Sequence, residues 1–379
     1  MIPADKLLDA YVNANILFVC AYVFWVLMRG RLGLFGLERA YGTQLRLLNS
    51  IFLTILLAPL IAMGFGLLQQ TGLAQGVTLN LSDMVVSYYL NGGLQMRATE
   101  FEALVTLRNT LTLNIVSGVG WFAWLTMAVL GTGFVIGLMR LMASMMCLRR
   151  IVRGSYAWRR FGRVHLRLSD QSLVPFSTRG FYNYYVVIPS HMLAEAHELK
   201  VSLAHEFQHI RQGDLEWEIL IEALKPVFFL NPVYHAWKRQ VENLRELNCD
   251  SEVLSRGRID MREYCDTLLS VCQKTLSRDR DFVIAVPKVT LVSADRPTLR
   301  QGGKSFLEAR ILSLTNLRDA KQSRLAVVAL VLPFVAAVAL LSLAIQTPPD
   351  WSQDRLMLST VVNLERLDEI NRLSAFGRN

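Results

Sequence analysis

The sequence predicts an integral membrane protein, mainly α-helical, with four transmembrane helices and one α+β domain inserted between the third and the fourth. Three observations carry this. Hydrophobic residues make up 52% of the 379 positions, charged residues only 19%, and mean hydropathy is +0.31. A single aqueous core would not hide that much apolar surface, and the excess is gathered into runs long enough for a bilayer. Between the last two runs lies a polar stretch with both strand and helix periodicity.

A helix needs about 20 apolar residues to cross a hydrocarbon core of about 30 Å. Four stretches qualify, at about 11–28, 47–68, 113–147 and 325–346. The third is long enough to continue past the membrane. Pro59 and Pro333 fall inside the second and fourth, where neighbouring helices can satisfy the freed carbonyls. The leader before the first run holds Asp5, Lys6 and Asp9, and no small-x-small cleavage site follows Met28. The first run therefore reads as a retained anchor rather than a signal peptide.

Lysines and arginines near the span ends predict orientation. Arg29, Arg31, Arg39 and Arg46 follow the first span. Arg149, Arg150, Arg153, Arg159, Arg160 and Arg163 follow the third. The loop from about 69 to 112 carries only Arg97 and Arg108 among acidic residues. This bias places residues 148–324 in the cytoplasm and both termini outside, in an inner cell membrane. Domain boundaries are accordingly expected at 1–147, 148–324, 325–346 and a short extracytoplasmic tail, 347–379. The net charge of +9 is then mostly juxtamembrane arginine meeting anionic lipid heads, and no nucleic-acid partner is expected. Five cysteines form no CxxC pair, and in a reducing compartment they are expected to stay free.

Within 148–324, the alternation of Arg163 to Ser169 and the β-branched run Tyr184 to Ile188 read as strands. Val174 to Ser177 reads as a turn or short edge segment. Helices are expected over Val201–Gln212, stopped by Gly213, and over Leu215–Leu224. Further helices are expected over Val233–Leu254 after Asn231-Pro232, over Met261–Leu276, and over Glu308–Leu317. The stretch holding Pro287 and Pro297 reads as loop.

The chemistry is concentrated in His205-Glu206-Phe207-Gln208-His209. Histidines at i and i+4 project from one helix face, so two imidazoles can reach one Zn²⁺ at about 2.0–2.1 Å. Glu206 stands beside the first, placed to take a proton from an attacking water. Catalytic zinc sites use three protein ligands and leave a position open. The Val233–Leu254 helix offers Glu246 as the third, with Asp250 one turn on to accept an N–H from a ligand histidine. Glu242 and Asp214 are the other candidates, and the bland reading of Glu246 is a solvated carboxylate paired with Arg239 or Arg245. Cys249 points away from Asp250 and reads as packing. His165, His191, His197 and His235 lack ligand spacing. Gly302-Gly303-Lys304-Ser305 lacks the first glycine of a phosphate loop, since Thr298 stands there.

With these residues in view, the chain resembles the antirepressor membrane metallopeptidases of the BlaR/MecR type. The matching pieces are Pro175-Phe176-Ser177, Val187-Ile188-Pro189, His205-Glu206-x-x-His209-x-x-x-x-Asp214, Asn231-Pro232, Arg245-Glu246-Leu247-x-Cys249-Asp250 and Arg310-Ile311. The resemblance implies a gluzincin-like zinc metallopeptidase domain after three spans and before a fourth. It implies His205, His209 and Glu246 as zinc ligands, Glu206 as base, and Asp250 and Asp214 as supporting groups. It also implies signal-dependent cleavage of a cytoplasmic protein, repressor-like, or of the chain itself. The antibiotic sensors of that group carry a penicillin-binding domain after the last span. Here residues 351–379 lack its SxxK motif and instead form a charged, amphipathic tail, expected to lie on the outer membrane surface or to bind an outside partner.

The expected partners are thus a cytoplasmic or membrane-proximal protein substrate, membrane lipids, a partner at the tail, and a second copy of the chain. Two other readings stay open: a prenyl-protein or housekeeping membrane protease, and a zinc-stabilised receptor or scaffold without catalysis. Substrate was expected to add as a strand to Arg163–Ser169 or Tyr184–Ile188.

Overall fold

The computed structural model describes residues 4–71, 80–172, 174–277, 289–290, 306–315, 324–345 and 353–376. Three helices are long and apolar enough to cross a membrane: α1 (Ala4–Arg29), α2 (Tyr41–Gln70) and α5 (Trp121–Gly154). The helix α11 (Arg324–Ala344) lies where the fourth span is expected, but its described apolar portion, Leu330–Ala344, is shorter. Of the stretch around Pro287 and Pro297 that the sequence reads as loop, only Val289–Thr290 is described, and it is a strand; its other residues, and Gly302 to Ser305, lie outside the described residues.

The chain divides into two compact units. The first takes Met1–Trp25, Ser50–Gly131 and Ala329–Asn379. In it Phe18 meets Phe52 with ring centroids 5.7 Å apart, and Phe24 meets Phe334 at 4.5 Å. The span expected from residue 113 is two helices. Helix α4 (Ala98–Ser117) stops at Gly118, whose φ of +67° and N–H contacts to the carbonyls of Asn114 and Ile115 close its end. A second positive-φ glycine, Gly120, follows, and α5 starts at Trp121. Hydropathy alone runs straight through this break.

The tail forms a helix that docks one face on the chain itself, while Leu356, Leu364, Leu367 and Ile370 stay exposed. Helix α12 (Gln353–Phe376) packs on α3 (Leu81–Leu90) and α4. Leu358 and Val362 join Val86, Ala98 and Phe101 in a small core. Arg355 pairs with Asp83 at 3.1 Å and Arg366 with Glu102 at 2.8 Å. Glu365 accepts the Thr99 N–H at 3.0 Å, capping α4 with negative charge at its N-terminus.

The second unit takes Val26–Asn49 and Thr132–Val328. Its sheet has the order β1-β2-β4-β3-β5. Here β1 is Tyr156–Phe161, β2 Val164–Ser169, β3 Phe176–Arg179, β4 Tyr184–Pro189 and β5 Val289–Thr290. Strand β2 runs parallel to β4, and the other pairs are antiparallel. Two expectations are corrected. The segment read as a turn or short edge segment at 174–177 contributes β3, a strand flanked by β4 and β5. Neither strand expected to receive substrate has a free edge, because β2 lies between β1 and β4, and β4 between β2 and β3.

Helix α6 (Ala196–Gln212) packs on the sheet, and α8 (Pro232–Ser255) and α9 (Met261–Ser277) pack on α6, with α10 (Phe306–Thr315) against both of these. Val186, Ile188, Val201, Val253, Leu268 and Leu314 lie in the shared core. Helix α8 begins where its sequence signals it should. The Asn231 side chain accepts the N–H groups of Val233 and Tyr234, and Pro232 takes the first helical position, where no N–H is needed.

Candidate metal centre and active site

Helix α6 presents His205 and His209 one turn apart on its buried face, both with 0% exposure. Gly213 then ends the helix at φ +74°, its N–H contacting the carbonyls of His209 and Ile210. The left-handed turn lets α7 (Asp214–Leu224) start at once. Asp214 is thereby folded back, and its Oδ2 lies 2.7 Å from His209 Nδ1. On the other histidine, Nδ1 lies 2.8 Å from the Tyr264 hydroxyl, which donates to Asp250 Oδ1 at 2.6 Å. Burial, with Asp250 next, pushes the Tyr264 hydroxyl well above its ordinary range, so it keeps its proton and donates.

These two bonds set the tautomers. With an acceptor on each Nδ1, both rings carry their proton there and leave a lone pair on Nε2. The two Nε2 atoms face each other at 3.0 Å. Glu246 of α8 brings its carboxylate to the same point, with Oε2 3.5 Å from His205 Nε2 and Oε1 3.6 Å from His209 Nε2. Ligands about 2.05 Å from a tetrahedral zinc are separated by about 3.3–3.4 Å. The two Nε2 atoms 3.0 Å apart, each with one Glu246 oxygen at 3.5 or 3.6 Å, are therefore close to the spacing of such a site.

Cys249 also lies close. Its sulfur forms, with His205 and His209, a buried group whose ligand atoms are all within 4.8 Å. However, it stands 3.5 Å from His205 Nδ1, the nitrogen already engaged by Tyr264, and not on the Nε2 side. Burial first, then Asp250 and Glu246, push its thiol well above the usual range.

Asp250 is fully buried and is held by Arg310 of α10. Arg310 Nε donates to Oδ2 at 2.7 Å and Nη2 to Oδ1 at 2.6 Å, while Nη1 lies 3.3 Å from Glu246 Oε2. Burial opposes ionisation of Glu246, but the Arg310 guanidinium is foremost among the neighbours that lower the carboxyl, to about 2. The direct Asp250–histidine bond expected from sequence is replaced by a relay: Asp250 Oδ1 is 3.5 Å from His205 Nδ1, with the Tyr264 hydroxyl closer to both. Of the other ligand candidates, Asp214 is engaged with His209 Nδ1, and Glu242 is half-buried and pairs with Lys238. Arg245 pairs with Glu218 at 2.6 Å rather than with Glu246.

Glu206 is fully buried, and neither carboxylate oxygen has a hydrogen-bond partner of normal geometry. Burial raises its carboxyl to about 7, against a lowering pull from His209 and Ser177. A carboxylate left without partners beside such a cluster is poised to exchange a proton near neutrality. Ser177 comes from β3, which packs against α6.

Tyr264 and Arg310 are the contributors that residue-by-residue reasoning left without a role. Arg310 belongs to the Arg310-Ile311 pair that carries part of the family resemblance. Tyr264 reads as one more apolar position of α9, with Leu268 and Val271 on its face.

A family model described as BlaR1 peptidase M56 matches residues 10–290, and none of the curated proteins matches the chain. The matched region contains the three apolar helices, α6 with both histidines and Glu206, and α8 with Glu246 and Asp250. The chain is a membrane protein that belongs to the BlaR1 peptidase M56 family, a family of membrane-associated metallopeptidases.

Proposed function

We propose that the chain is a membrane-embedded zinc endopeptidase in which His205, His209 and Glu246 hold the metal and Glu206 is the base. One observation carries this: two Nε2 lone pairs held 3.0 Å apart with a carboxylate across from both. Without an electrophile between them that arrangement is repulsive, and a dication resolves it. Zinc bound there supplies a Lewis acid for the scissile carbonyl and acidifies a water molecule. The chain's own groups do the rest. Asp214 and the Tyr264–Asp250 pair orient the imidazoles, Arg310 keeps Glu246 ionised, and Glu206 takes the water's proton and can return it to the leaving amine.

The regulatory reading rests on the family and on the charge bias of the loops. Both support four spans, a cytoplasmic catalytic domain, outward termini, and cleavage of a cytoplasmic or membrane-proximal protein, repressor-like, or of the chain itself. Self-cleavage has a further support. The chain's own Val289–Thr290 pairs antiparallel with β3, with Ser177 opposite Val289, an extended segment on the strand beside Glu206.

The test is metal content together with proteolysis of a quenched casein by detergent-purified protein. Wild type is expected to carry about one zinc per chain and to cleave. His205→Ala is expected to lose both zinc and cleavage. Zinc-free wild type that still cleaves would sink the proposal. Tyr264→Phe removes the hydroxyl that joins His205 to Asp250 while keeping the ring. Such orienting partners are worth about 10–100-fold in metal affinity, and a chelator-dye competition is expected to show a loss of that size. Unchanged affinity would mean that the tautomer is fixed by something else.

A further inference from the structure

Helix α7 has its charges paired within the fold. Asp214 is bonded to His209, and Glu216 to Arg179 at 2.5 Å and to the Tyr184 hydroxyl at 2.7 Å. Glu218 is bonded to Arg245 and, at 3.1 Å, to Lys238, which also meets Glu222 at 2.7 Å. What the helix shows to its surroundings is Ile219, 43% exposed, and Ala223. After Lys225, whose ammonium pairs with Glu222 at 3.6 Å, the five residues Pro226 to Leu230 are all apolar, and Leu230 is 52% exposed. A helix bathed in water has the opposite distribution.

This apolar segment is seated on a membrane span. A Cβ on Gly133 of α5 would fall 2.0 Å from Phe229 Cζ, and one on Gly137 would fall 3.0 Å from Pro226 Cα. Only glycines permit these approaches. Every window of about 20 residues between Trp121 and Cys147 contains both glycines. At 1.5 Å per residue they lie about 18 and 24 Å along the helix from Trp121, inside a core of about 30 Å. Part of the segment's backbone is satisfied internally, as a bilayer favours. The N–H groups of Val227 and Phe228 reach the Leu224 carbonyl, that of Asn231 reaches the Phe228 carbonyl, and His235 Nε2 lies 3.2 Å from the Phe229 carbonyl.

We propose that Pro226–Leu230 and the outward face of α7 form a re-entrant surface whose partner is the acyl chains of the bilayer leaflet on the catalytic domain's side. Because α7 starts at Asp214, bonded to His209, and runs only about 16 Å, this holds the candidate metal centre at the lipid surface.

Nitroxide labels at Ile219→Cys, Ala223→Cys and Leu230→Cys test this in phosphatidylethanolamine–phosphatidylglycerol vesicles, with Cys20, Cys147, Cys265 and Cys272 replaced by alanine. The three positions are exposed, so the labels displace no core contact. Arg258→Cys, exposed after α8, is the aqueous reference. All three labels are expected to be relaxed readily by oxygen, and at least threefold less by a water-soluble nickel chelate than the label at 258. Nickel accessibility equal to that at 258 would overturn the proposal. So would inaccessibility to both reagents, which marks a covering protein. The measurement does not depend on metal or proteolysis, so it stands or falls apart from the peptidase reading.

Discussion

Glu206→Gln is expected to leave zinc bound and to lower proteolysis by about 10²–10⁴-fold, the usual worth of a positioned general base. The geometry explains why the two effects separate. Glu206 makes no hydrogen bond to His205, His209 or Glu246, and both of its oxygens stand without partners. The histidines are oriented instead by Asp214 and Tyr264, which the substitution does not touch. Glutamine preserves shape and removes the basic oxygen. It also removes a carboxyl that burial has already raised to about 7, so folding should not suffer, and the variant's thermal midpoint is expected to match or exceed that of wild type. Metal content and casein cleavage measured on one preparation decide the matter. A variant that cleaves at the wild-type rate with zinc in place would remove Glu206 from the mechanism, while loss of zinc would make it a ligand or a scaffold of the site.

The parts of this site that were legible in sequence are those built on one element or one turn. The i, i+4 spacing of His205 and His209 is a property of any helix, and Gly213 followed by Asp214 announces a sharp stop and a carboxylate within reach of the preceding turn. Glu246 and Asp250 share a face of α8 for the same reason. The parts that were not legible join distant elements. Tyr264 and Arg310 meet at Asp250 from 14 and 60 residues away, and no periodicity links them. The sheet was half visible. Strands β2 and β4 show alternation or β-branched runs, whereas β1, Tyr-Ala-Trp-Arg-Arg-Phe, hides inside a basic stretch that reads as juxtamembrane charge. Strand β3 is only four residues long and owes its place to its neighbours. The docking of α12 was invisible for the same reason as the Arg310 clamp. Glu365 and Thr99 are 266 residues apart, and an amphipathic pattern says that a helix needs a partner without saying which.

Arg310→Met should be the most destabilising single change around the site. Asp250 is fully buried, and the guanidinium supplies two of its hydrogen bonds and all of its direct charge compensation. Removing one partner of a buried pair costs about 3–5 kcal/mol, because the other is left ionised without compensation. Met keeps most of the volume, so a packing defect is not the cause. The contribution of charge is isolated by a cycle with Asp250→Asn. If the pair is the unit, the double variant recovers part of the loss, and the coupling energy exceeds about 1 kcal/mol. Strict additivity of the two single changes, measured as unfolding free energies in detergent, would show that Arg310 acts through packing alone. A second readout reaches the metal. Arg310 also lies 3.3 Å from Glu246 Oε2 and helps to keep that carboxylate charged, so Arg310→Met is expected to weaken zinc binding at low pH more than at neutral pH. The sign follows from Glu246. Its depressed value leaves it ionised down to about 2. Without Arg310 its protonation moves up toward the ordinary carboxylate range, and zinc must then compete with a proton at a pH where the wild-type site does not.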